Sequence, residues 1–102
     1  MCAVFADTGR FQILGASADK PISIQAADLK GFKPWLAMLV KVFKINNYAV
    51  LATVVEWPRA TVHWHADIYS KVTGTTVHTE LVDILEVGED RIVSYTEFFA
   101  PR

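Results

Sequence analysis

The chain has 102 residues, 52% hydrophobic and 21% charged, with a formal net charge of -1. That length suits one compact domain over residues 1–102 and excludes two. The near-balanced charge, with its Lys and Arg dispersed along the chain, excludes a nucleic-acid binder driven by phosphate neutralisation.

Residues 1–10 lack the basic segment and long apolar stretch of a signal peptide, and no apolar run reaches membrane-spanning length. The expectation is a cytoplasmic protein with no membrane partner. Cys2 is the one cysteine, which excludes an internal disulfide and a Cys-rich metal knuckle. Residues 10–14, closed by Gly15, read as a short strand. Residues 16–25 read as a loop or edge segment, with Pro21 holding Lys20 extended. Over residues 32–43 the apolar period becomes helical, with Trp35, Leu36, Leu39, Val40 and Phe43 in phase. Pro34 is tolerated best in a first turn, so the helix is expected to start near Phe32 or Lys33. Lys30, Lys33, Lys41 and Lys44 fit its solvated face. Leu36, Leu39 and Val40 fit its core face. Residues 48–56, 60–71, 75–87 and 91–99 then read as four strands, separated by a turn or bulge at Trp57-Pro58 and by turns at Val72-Thr73-Gly74 and Gly88-Glu89-Asp90. Strand, helix and four strands in that order make an α+β domain with a curved antiparallel sheet.

The last third carries a resemblance. Thr73-Gly74, residues 85–87, Arg91-Ile92 and Phe98-Phe99 resemble the closing hairpin of the nuclear-transport-factor-two-like superfamily, which includes ketosteroid isomerases, SnoaL-like polyketide cyclases and limonene-epoxide hydrolases. Residues 5–11 resemble the family's approach to its first strand. Ala100 stands where the family has Asp, and Asp90 where it has glycine. The resemblance implies a cone-shaped sheet wrapped around a long helix, cystatin-like in outline, without the usual two N-terminal helices. It also implies a pocket on the concave face and a partner subunit on the convex one.

Residues 60–70 deal their side chains to two faces. One carries Thr61, His63, His65, Asp67 and Tyr69; the other carries Val62, Trp64, Ala66 and Ile68. The register of the resemblance puts the polar face inside. His65 and Asp67 then match the Arg and Asp of the epoxide hydrolases, and Glu97 matches their second Asp. A carboxylate pair bridged by an imidazole makes an acid/base relay near neutral pH. Glu80 falls near the hydrogen-bonding Asp of the isomerases. Gln12 falls near their base, for which an amide cannot substitute. Gln12, Trp35, Met38, His63, Tyr69, His78, Glu80, Tyr95 and Phe99 are the expected pocket lining.

The expected function is uptake of a small organic ligand in an apolar pocket with a polar floor. Its enzymatic form is cofactor-free acid/base chemistry of the epoxide-hydrolase or cyclase/dehydratase type. The alternative is a non-catalytic ligand-binding or interaction module. His63-x-His65 with Asp67 or His78 resembles half a cupin motif. Tyr69 and Ser70 occupy the place of the cupin glutamate, and the second half-motif is missing, so no metal is expected. If the polar face is inside, Val62, Trp64, Ala66, Ile68, Leu81, Leu85 and Phe98 form an outer apolar patch. That patch is expected to build a homodimer or a higher homo-oligomer.

Overall fold

A computed structural model describes residues 5–17 and 20–101; Cys2 lies outside the described residues. The elements run β1 (Phe5–Ser17), β2 (Lys20–Asp28), α1 (Leu29–Val42), β3 (Phe43–Glu56), β4 (Arg59–Ser70), β5 (Thr76–Gly88) and β6 (Arg91–Pro101). The strands form one six-stranded sheet in the order β2-β1-β6-β5-β4-β3. All neighbours are antiparallel except β1 and β6, which are parallel, so the sheet is mixed.

That order dictates where the helix goes. β2 and β3 are the two edges of the sheet, and α1 is the segment joining them. A 14-residue helix is ~21 Å long, and six strands span ~24 Å. The connection therefore crosses one whole face, and the sheet curls around it. The helix end is fixed where the Lys71 backbone N–H donates to the Val42 carbonyl at 2.8 Å.

Of residues 16–25, expected as loop or edge, 16–17 belong to β1 and 20–25 to the edge strand β2; residues 18–19 lie outside the described residues. The helix starts at Leu29, earlier than Pro34 suggested. Asp28 caps it, its Oδ1 accepting from the Gly31 N–H at 2.8 Å. Pro34 thus sits in the second turn, where it removes a hydrogen bond and crowds the Lys30 carbonyl. Burial of Leu29 and Phe32 in that extra turn outweighs the loss. Leu36 and Leu39 face the core as expected, but Val40 is exposed and Phe43 already belongs to β3.

The core is Phe11, Ile13, Ile24, Leu29 and Phe32. Phe11 and Phe32 are fully buried, with stacked rings 5.2 Å apart. Gly15 faces Phe99 across β1 and β6. A Cβ at Gly15 would stand 2.5 Å from the Phe99 ring and from its carbonyl oxygen. Gly15→Ala is therefore expected to cost about 1–3 kcal/mol in denaturant unfolding. An unchanged midpoint would show that β1 and β6 can separate freely there. The turn after β5 places Glu89 and Asp90 at φ 50 and 65, both left-handed. Such two-residue hairpins favour glycine, which explains why a glycine is usual at the position of Asp90.

Candidate active site on the concave face

Strand register assigns every side chain to a face, because paired residues point the same way. Three cross-strand rows face the helix. The first holds Phe11, Tyr95 and Leu85; the second Ile13, Glu97, Asp83 and Val62; the third Gly15, Phe99, Leu81, Trp64 and Val50. Ala66 and Leu81, on the same side, are buried.

This inverts the expected faces of β4. Val62, Trp64, Ala66, Ile68, Leu81 and Leu85 lie on the concave side and cannot form a convex interface; only Phe98 of that set is convex. His63, His65, Asp67 and Tyr69 lie on the convex side, with Gln12, His78 and Glu80. The expected trio is divided: Glu97 faces the helix, and His65 and Asp67 face away from it. The physical reason is that a strand has a period of two. A one-residue error in matching it to a relative exchanges its faces, and here burying the apolar stripe won. Of the expected lining, Tyr95 and Phe99 pack against the core. Trp35 and Met38 are partly exposed on the helix, beside its buried stripe.

Several of the convex polar residues pair with neighbours. The His63 ring N–H donates to Glu80 Oε1 at 2.9 Å, and Gln12 donates to Thr96 Oγ1 at 3.3 Å. Asp67 accepts from Asn47 at 3.0 Å and pairs with His78. The Asn47 amide first, and His78 second, hold the Asp67 carboxyl below its usual range. Among the described residues, no three His, Cys, Asp or Glu side chains stand together to hold a metal ion. No helix there is long and apolar enough to cross a membrane.

On the concave side, Asp83 and Glu97 face each other as partners on β5 and β6. Apolar rows bound them on either side. Trp64 Nε1 donates to Asp83 Oδ2 at 3.1 Å, Asp83 Oδ1 is buried with no hydrogen-bond partner of good geometry among the described residues, and the nearby Tyr95 hydroxyl also favours the Asp83 carboxylate. Tyr95 donates its hydroxyl to Glu97 Oε2 at 3.2 Å, and its ring leans on Phe32, centroids 6.3 Å apart. Burial, and then the negative charge of Asp83, push the Glu97 carboxyl up to about 7, against the pull of the Tyr95 hydroxyl. Burial also raises Asp83, and the Trp64 indole N–H is the larger opposing influence. The Tyr95 phenol is driven far above its usual range by burial, followed by the two carboxylates. Two like charges brought together in a desolvated row make the arrangement that separates acid from base.

The expected site omitted Asp83, although β5 carried a signal for it. Val77, Thr79, Leu81, Asp83, Leu85 and Val87 share one phase, and Asp83 is its only ionisable member. Towards the β3 edge the concave face is open, with Ile45 and Val50 more than half exposed. Two shallow depressions lie elsewhere: about 330 Å³ beside the β3–β4 turn, near Trp57 and Arg59, and about 200 Å³ between His63, Glu80, Val82 and Phe98. Neither is lined by the acid pair.

No protein-family model matches the sequence, and no curated protein matches it. Solved structures do match it in fold. A candidate isomerase from Rhodopseudomonas palustris superposes with a TM-score of 0.78 at 8% identity, over 96% of this chain and 73% of that one. A nuclear-transport-factor-two-like protein from Burkholderia xenovorans gives 0.75 at 18%, over 95% and 72%. A protein with a ketosteroid-isomerase-like fold from Catenulispora acidiphila, in complex with trimethylamine, gives 0.69 at 13%, over 96% and 71%. The helix crossing a six-stranded curled sheet is thus the nuclear-transport-factor-two-like fold, an α+β architecture with one helix among the described residues.

Proposed function

We propose that the concave face takes up a small organic molecule and that Asp83 and Glu97 exchange protons with it, using side chains alone. One observation carries the reading: two carboxyl groups are opposed in a single row, between apolar rows, where burial and the Asp83 charge push Glu97 up to about 7. Burial raises both carboxyls, and the Trp64 N–H opposes that rise at Asp83, so of the two Asp83 is the one assigned as base. Glu97, neutral up to about pH 7, is suited to act as acid. Tyr95 orients Glu97 and does not itself ionise. Isomerisation, cyclisation and epoxide opening can each use such a pair. The small amine bound by the Catenulispora neighbour supports the small-molecule part of the reading. A cytoplasmic location belongs to the same proposal and rests on the single cysteine.

The second reading is a binding module without turnover. The open concave side at Ile45 and Val50 favours it, because a site left wet weakens proton transfer. A panel of ketones, epoxides and small amines, scored for both thermal shift and turnover, separates the two. For a turned-over compound, Asp83→Asn is expected to cut the rate at least about 100-fold while keeping the ligand's thermal shift. The wild-type rate should fall above about pH 7 as Glu97 ionises. An unchanged rate in the Asn variant removes Asp83 from the chemistry. Thermal shifts without any turnover leave the binding module.

A further inference from the structure

β3 is an edge strand, and every residue of it except Asn46 is exposed. Ile45, Tyr48, Val50, Val54 and Val55 are each between 52% and 70% accessible. Edge strands that must stay single are blunted by bulges, by proline or by charges along their length; β3 has irregularities but no charge in its middle. Here the charges stand only near the two ends, Lys44 and Glu56. They lie on one side: Lys44 pairs with Tyr69 and Glu56 with Arg59, both convex positions of β4. Ile45, Val50 and Val55 pair with Ile68, Trp64 and Ala60 and lie on the concave side. The strand's two irregularities, between Asn46 and Ala49 and between Val50 and Ala52, flank its middle.

We infer that β3 pairs antiparallel with β3 of a second copy of this chain, about a two-fold axis at Val50. In that register Lys44 stands opposite the partner's Glu56, and the pair repeats at the other end. Ile45 stands opposite the partner's Val55, Asn46 opposite the partner's Val54, and Val50 opposite itself. Each of these pairs keeps its side of the sheet. A slip of one residue sets the convex side of one copy against the concave side of the other. A slip of two separates each Lys from its Glu, and a parallel pairing sets like charges together. The ends of one strand are thus complementary to each other under one operation only, that of an isologous dimer. The concave floors of the two copies become continuous through Val50, next to Trp64.

Sedimentation of the full chain at micromolar concentration tests this with charge reversals. The unmodified chain should sediment as a dimer. Lys44→Glu and Glu56→Lys, taken singly, each replace two attractions with two repulsions and should weaken dimerisation about tenfold or more. The double variant Lys44→Glu/Glu56→Lys should recover to within about threefold of wild type. Both positions are exposed, so circular dichroism should show the same fold in all four proteins. A monomeric wild type overturns the inference. So does a dimer indifferent to the single reversals, or a double variant no better than the singles.

Discussion

Glu97→Gln is expected to make the protein more stable at about pH 8 and to leave its stability near pH 4 unchanged. The folded-state carboxyl titrates at about 7, against an ordinary value of 4.5. Raising a carboxyl means that folding favours its neutral form. Its contribution is therefore fully present below pH 4.5, is lost as pH rises through about 7, and stays lost above that. A shift of that size is worth about 3 kcal/mol at most. Gln keeps the acceptor for the Tyr95 hydroxyl but cannot ionise, so the variant should escape most of this loss. Asp83 is raised too, so a residual slope of the same sign should persist in the variant. Urea unfolding of both proteins between about pH 4 and 8 measures the difference. Parallel stability curves would mean that Glu97 is solvated.

The second large effect separates two neighbouring residues. Ala66 is 1% exposed on the concave side, between Trp64 and Ile68. Ala66→Glu would bury a carboxylate without a partner and overfill the row. A cost of at least about 4 kcal/mol is expected, enough to leave a small domain largely unfolded. His65, one residue earlier, is half-buried on the convex side, and His65→Glu is expected to change stability by about 1 kcal/mol. Thermal melts followed by circular dichroism give the ranking. If the His65 variant unfolds and the Ala66 variant does not, the faces of β4 are assigned the wrong way round.

Much of the fold was legible because it rests on local chemistry. The β4–β5 turn is closed at Gly74, whose N–H donates to the Ser70 carbonyl at 2.8 Å and whose φ is 70. The three C-terminal strands could be read from alternation between such turns. β2 was less legible. Residues 20–25 have Pro21 and Ser23 in place of a long apolar run, and the strand is made by folding back antiparallel on its neighbour β1, from Ser17 opposite Lys20 onward. The start of α1 was hidden because a proline rule competed with an Asp28 cap, and burial of Phe32 decided between them. The site was half legible. The resemblance to the epoxide hydrolases points to Glu97, but it points to β4 for the partner, where the structure has it on β5. Face assignment depends on which strands become neighbours, and a single strand's alternation does not carry that. The decisive fact is the Asp83–Glu97 pairing, a contact between strands that only the assembled sheet creates.

The titration of the Glu97 side-chain carboxyl carbon, followed by NMR and assigned with Glu97→Gln, tests the concave acid pair most directly. The pairing with Asp83 predicts a midpoint near 7 in the wild type and a lower one in Asp83→Asn, where the neighbouring negative charge is gone. A midpoint near 4.5 that ignores the Asp83 substitution would contradict it.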